Sequence, residues 1–167
     1  AAPRIVEALK RLEYRGYDSA GVATLHDGQI DRRRAPGKLR NLSAVLAREP
    51  LPGIIGIGHT RWATHGAATE NNAHPHAGDR VAVVHNGIIE NFRELRSYLK
   101  RNGHTFVSDT DSEVIAHLVE DAWAGPCKGD LLGAGRNACG RLEGSWALAV
   151  VCADAPGEIV VARNGSP

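Results

Sequence analysis

The chain has 167 residues, of which 43% are hydrophobic and 23% are charged, and its formal net charge is +1. Such a composition is that of a globular domain large enough to bury a core. The nearly neutral charge gives no electrostatic reason to bind nucleic acid or an anionic membrane. Because no apolar run is long enough to span a bilayer and no signal peptide is recognisable, we expect neither a nucleic acid nor a membrane partner.

In the first half of the chain, apolar residues at helical spacing predict helices at residues 3–15 and 36–48. Residues 66–80 are predicted to be a loop. Continuous apolar runs predict strands, and the two later ones are apolar enough to be covered on both faces. The predicted strands are residues 20–25, a partner near Ile30 across an Asp27-Gly28 turn, 54–59 and 81–85.

The second half predicts three more helices and a closing pair of strands. The mixed order of elements favours a layered α+β sandwich over a doubly wound parallel sheet. The predicted elements are a helix at 90–102 ended by Gly103, a short strand at 105–107, a helix with an N-cap at Thr110 and a capping box to Glu113, a helix ending near Leu142, and a hairpin of residues 145–151 and 158–162.

The three cysteines, Cys127, Cys139 and Cys152, are odd in number and widely spaced, which argues against a disulfide framework and a thiolate zinc site. Cys152 lies in an apolar run and is predicted to be a small core residue. A reducing cytoplasm is therefore the expected location. The chain has no Met, and residues 164–167 resemble an interrupted linker, so we expect one domain of a longer protein.

The most informative segment is residues 58–66, in which a buried strand opens into a polar loop. Arg61 is suited to clamp a carboxylate with two parallel hydrogen bonds, and Trp62 to cover a ligand and exclude water. The alternative is a surface loop with an ion-paired arginine and a half-buried tryptophan.

Two further segments offer complementary groups. Asn86 and Gly87 end the strand at 81–85, where a side-chain amide and a backbone N–H would stabilise an oxyanion; the alternative is an Asn-Gly turn. In residues 108–113, a carboxylate such as Asp111 would bind a substrate ammonium, whereas the alternative is stabilisation of a helix start by the helix dipole.

A metal site is the main rival prediction, because His74 and His76 form a His-x-His pair near His59, His65 and His85 in sequence. No acidic residue follows at a familiar metal-motif spacing, so we predict neither a metal nor a cofactor. The glycines of residues 125–140 also lack the spacing of a phosphate-binding loop.

These groups together describe a site for a zwitterionic amino acid with a reactive side-chain carbonyl. Arg61 would bind its carboxylate, Asp111 its ammonium, and Asn86 with Gly87 an oxyanion. Glutamine and asparagine both fit this description. None of the three cysteines lies in a loop with these residues, and the sequence has no Gly-x-Ser-x-Gly elbow. The nucleophile is therefore missing from the set.

Five segments in register resemble the glutaminase domain of the glutamine–fructose-6-phosphate aminotransferases (glucosamine-6-phosphate synthases), which are class II glutamine amidotransferases. The resemblance runs from the first helix to the terminal Asn-Gly-Ser-Pro. The segments that carry it are residues 13–21 (Glu-Tyr-Arg-Gly-Tyr-Asp-Ser-Ala-Gly), 59–66 (His-Thr-Arg-Trp-Ala-Thr-His-Gly), 72–76, 85–91 and 108–113.

The resemblance implies an N-terminal nucleophile hydrolase fold, which is a four-layer αββα sandwich, over residues 1–167. It also implies a catalytic N-terminal cysteine on a segment before Ala1, and a sugar-phosphate isomerase domain after residue 167 of the same polypeptide, in a homodimeric enzyme. The implied roles are oxyanion stabilisation by Asn86 and Gly87, support of the catalytic terminus by Arg15, binding of the glutamine carboxylate by Arg61 and of its ammonium by Asp111, loop closure by Trp62, Thr64 and His65, and organisation of the loop by His74.

The reaction implied is hydrolysis of glutamine to glutamate and ammonia, with the ammonia used to convert fructose 6-phosphate to glucosamine 6-phosphate. Two other hypotheses remain open from the sequence. One is a truncated or degenerate module that only senses glutamine, and the other is a histidine-based metal hydrolase.

Overall fold

Two antiparallel sheets form the centre of the molecule, in a computed structural model that describes residues 1–62 and 66–166, without the side chain of Arg15. The first sheet has the strand order β2-β1-β3 and the second β4-β5-β6-β7. The strands are β1 (Ser19–His26), β2 (Gln29–Pro36), β3 (Ile55–Arg61), β4 (His76–Ala77), β5 (Val81–Ile89), β6 (Gly144–Cys152) and β7 (Val160–Asn164).

Helices cover the outer face of each sheet. In β1, Ala20 and Val22 face the helices of the first sheet, whereas Ala23 and Leu25 face the second sheet, as the twofold alternation of a strand requires. The first sheet is covered by α1 (Ala2–Lys10) and α2 (Leu39–Arg48), and the second by α3 (Phe92–Arg101), α4 (Glu113–Ala124) and α5 (Leu131–Cys139).

The interior between the sheets is small and aliphatic, with Ala23, Leu25 and Ile57 of the first sheet against Ala82 and Val151 of the second. Small residues let the two sheets approach closely. This order of layers, helix–sheet–sheet–helix, confirms the αββα sandwich predicted from the sequence. In the described residues no helix is long and apolar enough to cross a membrane.

Several predicted boundaries were wrong. The first helix ends at Lys10, and a separate 3₁₀ turn covers Glu13–Arg15. The second helix begins at Leu39 because Pro36 ends β2 and Gly37 has a positive φ of 80°.

The segment before α4 also differs from the prediction, because residues 105–107 are not a strand and Thr110 is not an N-cap. Ser112 occupies the cap position without a side-chain cap bond. The Glu113 carboxylate instead accepts hydrogen bonds from the backbone N–H groups of Val107 and Ser108, at 3.0 and 2.8 Å. These two hydrogen bonds replace the capping box that the sequence predicted.

Strands β3 and β5 extend further than predicted, to Arg61 and Ile89. Asn86 and Gly87 therefore lie within β5, paired with Ala147 and Trp146, and do not form a turn. The predicted loop at 66–80 contains the short strand β4, which pairs only with Ala82 and Val83 in β5.

Candidate active site

The ends of β3 and β5 border one cavity of about 300 Å³, here called the site cavity. Six of the nine residues that the sequence singled out line it: Arg61, Trp62, His74, Asn86, Gly87 and Asp111. They come from four separate segments of the chain, so the fold brings together what the sequence keeps apart. Their individual roles remain predictions.

The structure describes only part of the other three predicted site residues, Arg15, Thr64 and His65. Arg15 ends the 3₁₀ turn that precedes β1, and the structure describes its backbone but not its side chain. Thr64 and His65 also lie outside the described residues. The backbone near Arg15 approaches β3 closely, since a Cβ added to Gly16 would lie 2.7 Å from the carbonyl oxygen of Thr60.

Arg61 is the last residue of β3 and is 4% exposed. Its guanidinium donates to the carbonyl oxygens of Gly66 and Ala67, at 3.1 and 3.3 Å, and lies 3.6 Å from a carboxylate oxygen of Asp18. The guanidinium thus ties Gly66 and Ala67 to the end of the strand. A fixed guanidinium that borders a cavity is well placed to bind a carboxylate.

Trp62 follows at the rim and is 61% exposed. Its ring meets the ring of Tyr17 edge to face, with 5.5 Å between the centroids. Of the two rings, that of Trp62 lines the site cavity. An exposed aromatic at such a rim can cover a ligand and exclude water.

Asn86 is held by His59, whose Nε2 lies 2.9 Å from the amide oxygen. Because that oxygen only accepts, the imidazole must donate from Nε2. Burial lowers the pKa of His59, which favours the neutral ring. With its oxygen occupied, the Asn86 side chain keeps its NH₂ donors for another acceptor.

Gly87 has a φ of +125°, a conformation that favours glycine. A Cβ at this position would lie 2.1 Å from the carbonyl oxygen of Ser145 on β6. Any other residue would therefore displace β5 from β6 at the point where the strand borders the site cavity. The glycine is required by packing as well as by its backbone conformation.

Asp111 is 3% exposed and accepts a 2.8 Å hydrogen bond from the backbone N–H of Ile89 through Oδ2. Its Oδ1 lies 3.4 Å from the hydroxyl of Ser112. The carboxylate is therefore fixed against the end of β5, next to Asn86 and Gly87. A buried carboxylate that borders the cavity can bind a ligand ammonium.

Four histidines lie at the site cavity and are called the site histidines: His59, His74 and His85, which line it, and His76, which packs against His74. The ring of His74 lies 4.4 Å from that of His59 and 4.6 Å from that of His76. Burial lowers the pKa of His74 well below its usual value, that of His76 to about 3 and that of His85 to about 4. The site histidines are therefore neutral near pH 7.

Ser112 was missed by sequence reasoning, although its hydroxyl joins three site residues. It lies 2.8 Å from His85 Nδ1 and 3.3 Å from His74 Nε2, in addition to the contact with Asp111. His74 in turn accepts from the backbone N–H of His85 at 3.3 Å. This network fixes the imidazoles and the carboxylate relative to one another.

Asn72 and Arg34 hold the loop that carries His74. Asn72 donates to the carbonyl of Ala67 and accepts from the N–H of Asp109, at 3.1 and 2.9 Å. Arg34 on β2 donates to the carbonyls of Asn71 and Ala73, each at 3.1 Å. Neither role had a signal in the sequence beyond the position of Asn72 inside a polar motif.

In the part of the chain that the structure describes, His74 and His76 belong to no group of three potential metal ligands. The group that the structure does form is His104, His117 and Glu120, which had no motif to mark it. The polar groups that line the site cavity include a guanidinium, a carboxylate and a side-chain amide, of Arg61, Asp111 and Asn86.

The sequence comparisons agree with this chemistry. A family model described as a glutamine amidotransferase domain matches residues 59–166, which is more than half of the chain. The glutamine–fructose-6-phosphate aminotransferase [isomerizing] of Mesorhizobium japonicum is 60% identical over 166 residues, and that of Gluconobacter oxydans is 56% identical over 175. These alignments cover 99% and 100% of this chain but 27% of each relative, so the chain spans about a quarter of their length.

Solved structures show the same fold. The glutamine phosphoribosylpyrophosphate amidotransferase of B. subtilis, complexed with ADP and GMP, has a TM-score of 0.79 and 27% identity, covering 98% of this chain and 35% of that one. The allosteric regulatory enzyme of purine biosynthesis has a TM-score of 0.79 and 25% identity, covering 96% and 34%. These findings confirm the resemblance drawn from the motifs: the chain belongs to the glutamine amidotransferase domain family and corresponds to the glutaminase part of the glutamine–fructose-6-phosphate aminotransferases.

Proposed function

We propose that the site cavity binds glutamine and serves its hydrolysis to glutamate and ammonia. The observation that supports this proposal is the convergence of Arg61, Asp111, Asn86 and Gly87 on one cavity. Arg61 binds the α-carboxylate and Asp111 the α-ammonium of the amino acid. The side-chain amide of glutamine then extends toward Asn86 and Gly87.

The chemistry follows from these positions and from the family resemblance. The nucleophile is a cysteine before Ala1 whose own α-amino group, with an unperturbed pKa of about 7.7–8.0, takes the thiol proton. The thiolate attacks the amide carbon, and Asn86 and Gly87 stabilise the oxyanion. The proton passes to the leaving nitrogen, ammonia departs, and water hydrolyses the thioester to glutamate.

The remaining residues bind and shield the substrate. Trp62, Thr64 and His65 cover glutamine and keep water from the thiolate until the amide is in place. Arg15 supports the catalytic terminus. His74 organises the loop, a role consistent with its contacts to His85 and Ser112.

The wider reaction belongs to the same proposal. Ammonia passes to a sugar-phosphate isomerase domain that follows residue 167 in a homodimeric, cytoplasmic enzyme and converts fructose 6-phosphate to glucosamine 6-phosphate. The name of the relatives and their greater length support this assignment. No cofactor is needed for the glutaminase step, because the proposed groups supply every proton transfer.

The test combines calorimetry on this chain with an assay of glutamate release by the full-length protein. We expect L-glutamine and glutamate to bind, D-glutamine to bind much more weakly because its ammonium and carboxylate exchange places, and the full-length protein to release glutamate. Binding without glutamate release would indicate a glutamine-sensing module instead. Absence of L-glutamine binding would overturn the proposal.

A further inference from the structure

A second cluster of ionisable side chains lies away from the site cavity and takes no part in the proposed reaction. It consists of His104, in the segment after α3, with His117 and Glu120 one turn apart on α4, and is called the α4 cluster. The cluster borders a cavity of about 490 Å³. In the described residues, this cavity shares no lining residue with the site cavity.

The three side chains present ligand atoms at the separations that a small cation requires. His104 Nδ1 lies 3.1 Å from His117 Nδ1, and His117 Nδ1 lies 3.7 Å from Glu120 Oε2. One atom from each of the three residues falls within 4.8 Å of the other two. Tetrahedral zinc with bonds of about 2.0–2.1 Å places its ligand atoms about 3.3 Å apart. Small side-chain movements would therefore bring the three ligand atoms to bonding distance of one zinc ion.

In two of these side chains, the polar atom that points away from the proposed ligand atoms already has a hydrogen-bond partner. His104 Nε2 lies 2.6 Å from a carboxylate oxygen of Asp121, which leaves Nδ1 as the free lone pair. Glu120 accepts from the N–H groups of Arg80 and Val81 through Oε1, at 2.5 and 3.1 Å, which leaves Oε2 facing the imidazoles. A carboxylate behind a histidine and hydrogen bonds behind a carboxylate are the usual outer partners of metal ligands.

His117 is 5% exposed, and its Nε2 has no hydrogen-bond partner in the described structure. The nearest carboxylate oxygen, on Glu113, lies 3.8 Å away. With Nδ1 on a cation, Nε2 would carry the ring proton and face this carboxylate. Three carboxylates, of Glu113, Glu120 and Asp121, lie within 4 Å of the two imidazoles. Among the described residues that line the cavity, Arg32 contributes a guanidinium, so carboxylates outnumber it and the local charge favours a cation.

We propose that the α4 cluster binds a divalent transition metal of the zinc class through His104 Nδ1, His117 Nδ1 and Glu120 Oε2. The fourth position opens to the cavity and is available to water. The metal fastens the segment after α3 to α4 and so stabilises the chain that leads to Asp111. The sequence predicted no metal site, because these ligands come from two elements without a recognisable motif.

The test is calorimetric titration of the metal-stripped chain with ZnCl₂, using variants matched to each ligand. We expect one zinc per wild-type chain. Glu120→Gln keeps an oxygen for the N–H groups of Arg80 and Val81 but loses the metal-facing oxygen, and we expect it and His104→Asn to weaken zinc binding at least about 10–100-fold. His26→Asn, which removes an exposed histidine beside Asp27, should leave the affinity unchanged.

A spectrum of the wild-type chain with Co²⁺ provides a measurement that does not depend on a variant folding. Four-coordinate Co²⁺ with nitrogen and oxygen ligands gives intense visible absorption, and zinc should abolish it by displacement. Absence of this absorption, zinc binding unchanged in Glu120→Gln, or equal loss in His26→Asn would overturn the proposal. The 3.1 Å contact between the two imidazoles would then be a hydrogen bond that shares a proton.

Discussion

The site histidines and the α4 cluster are both groups of imidazoles packed ring against ring, yet their charges differ. His76 and His85 are buried without a carboxylate hydrogen-bonded to their rings, and burial lowers their pKa values to about 3 and 4. His117 is also buried, but the carboxylates of Glu113 and Glu120, at 3.8 and 3.7 Å from its ring nitrogens, outweigh desolvation and raise its pKa to about 9. Burial alone does not set the charge of a histidine, because nearby carboxylates can outweigh the cost of desolvation.

This difference in histidine charge agrees with the kind of ligand that each region can bind. Neutral imidazoles at the site cavity leave Asp111 without a cationic imidazole beside it, so its charge remains available to an ammonium. The carboxylates of the α4 cluster instead surround two imidazoles and attract a proton or a metal. A substitution in one region, followed by measurements on both, therefore separates their roles.

The largest expected effect comes from Asn86→Ala, which removes the proposed oxyanion donor. We expect kcat for glutamine hydrolysis by the full-length protein to fall about 10²–10³-fold with little change in glutamine affinity. Asn86→Asp is the matched variant, because it keeps the oxygen that accepts from His59 but has no N–H to donate. A rise in KM at unchanged kcat would contradict the assignment, and zinc binding at the α4 cluster should not change.

Arg61→Ala should act on binding rather than on turnover. The loss of charge-assisted hydrogen bonds, each worth about 1.5–3 kcal/mol, should weaken glutamine binding at least about 10-fold in calorimetry. Arg61→Lys keeps the charge but not the planar pair of donors, so we expect a smaller loss. If Asn86→Ala weakened binding as much as Arg61→Ala does, the two roles would be wrongly divided.

The residues in these two predictions could be found from the sequence because each is an unusual residue type beside an apolar strand. Arg61 follows an apolar run and Asn86 directly precedes a glycine, so type and position pointed to them without a structure. The layered fold was equally accessible, since the mixed order of predicted elements favoured an α+β sandwich and the family resemblance implied the αββα layers. The sequence placed the Asn-Gly pair at the end of the strand, with a turn as the alternative, whereas pairing with β6 continues β5 through it.

Other features depend on contacts that no local pattern encodes. Ser112 is one of several hydroxyls in its segment, and only the fold brings its oxygen to His74 and His85. Glu113 fits a capping box by spacing, but backbone N–H groups of residues 107 and 108 offered it buried partners instead. His104 and His117 lie on different elements, so their contact could not be read from spacing.

The site histidines also predict how stability depends on pH. The unfolded chain binds protons on His85 below about pH 6.5, whereas the folded chain does not until about pH 4, so stability is lost as the pH falls through this window. Between pH 7 and pH 5 this histidine alone should cost about 2 kcal/mol of unfolding free energy. Urea titrations at the two pH values measure this cost.

His85→Asn should reduce that pH dependence, while His26→Asn, at an exposed position, should leave it unchanged. A wild-type chain equally stable at pH 5 and pH 7 would contradict the neutral, buried state of the site histidines. It would also remove the contrast with the α4 cluster.

The smallest effect is expected from the three cysteines, none of which lines the site cavity or belongs to the α4 cluster. Burial raises the pKa of Cys139 and of Cys152, which keeps both thiols protonated and weakly nucleophilic. In the full-length protein, single alanine variants of Cys127, Cys139 and Cys152 should keep kcat within about twofold, because the proposed mechanism uses none of the three as its nucleophile. Cys152→Ala should cost about 1 kcal/mol in urea unfolding, since its side chain is fully buried in the core. Loss of turnover in a variant whose unfolding midpoint is normal would identify that cysteine as the nucleophile instead.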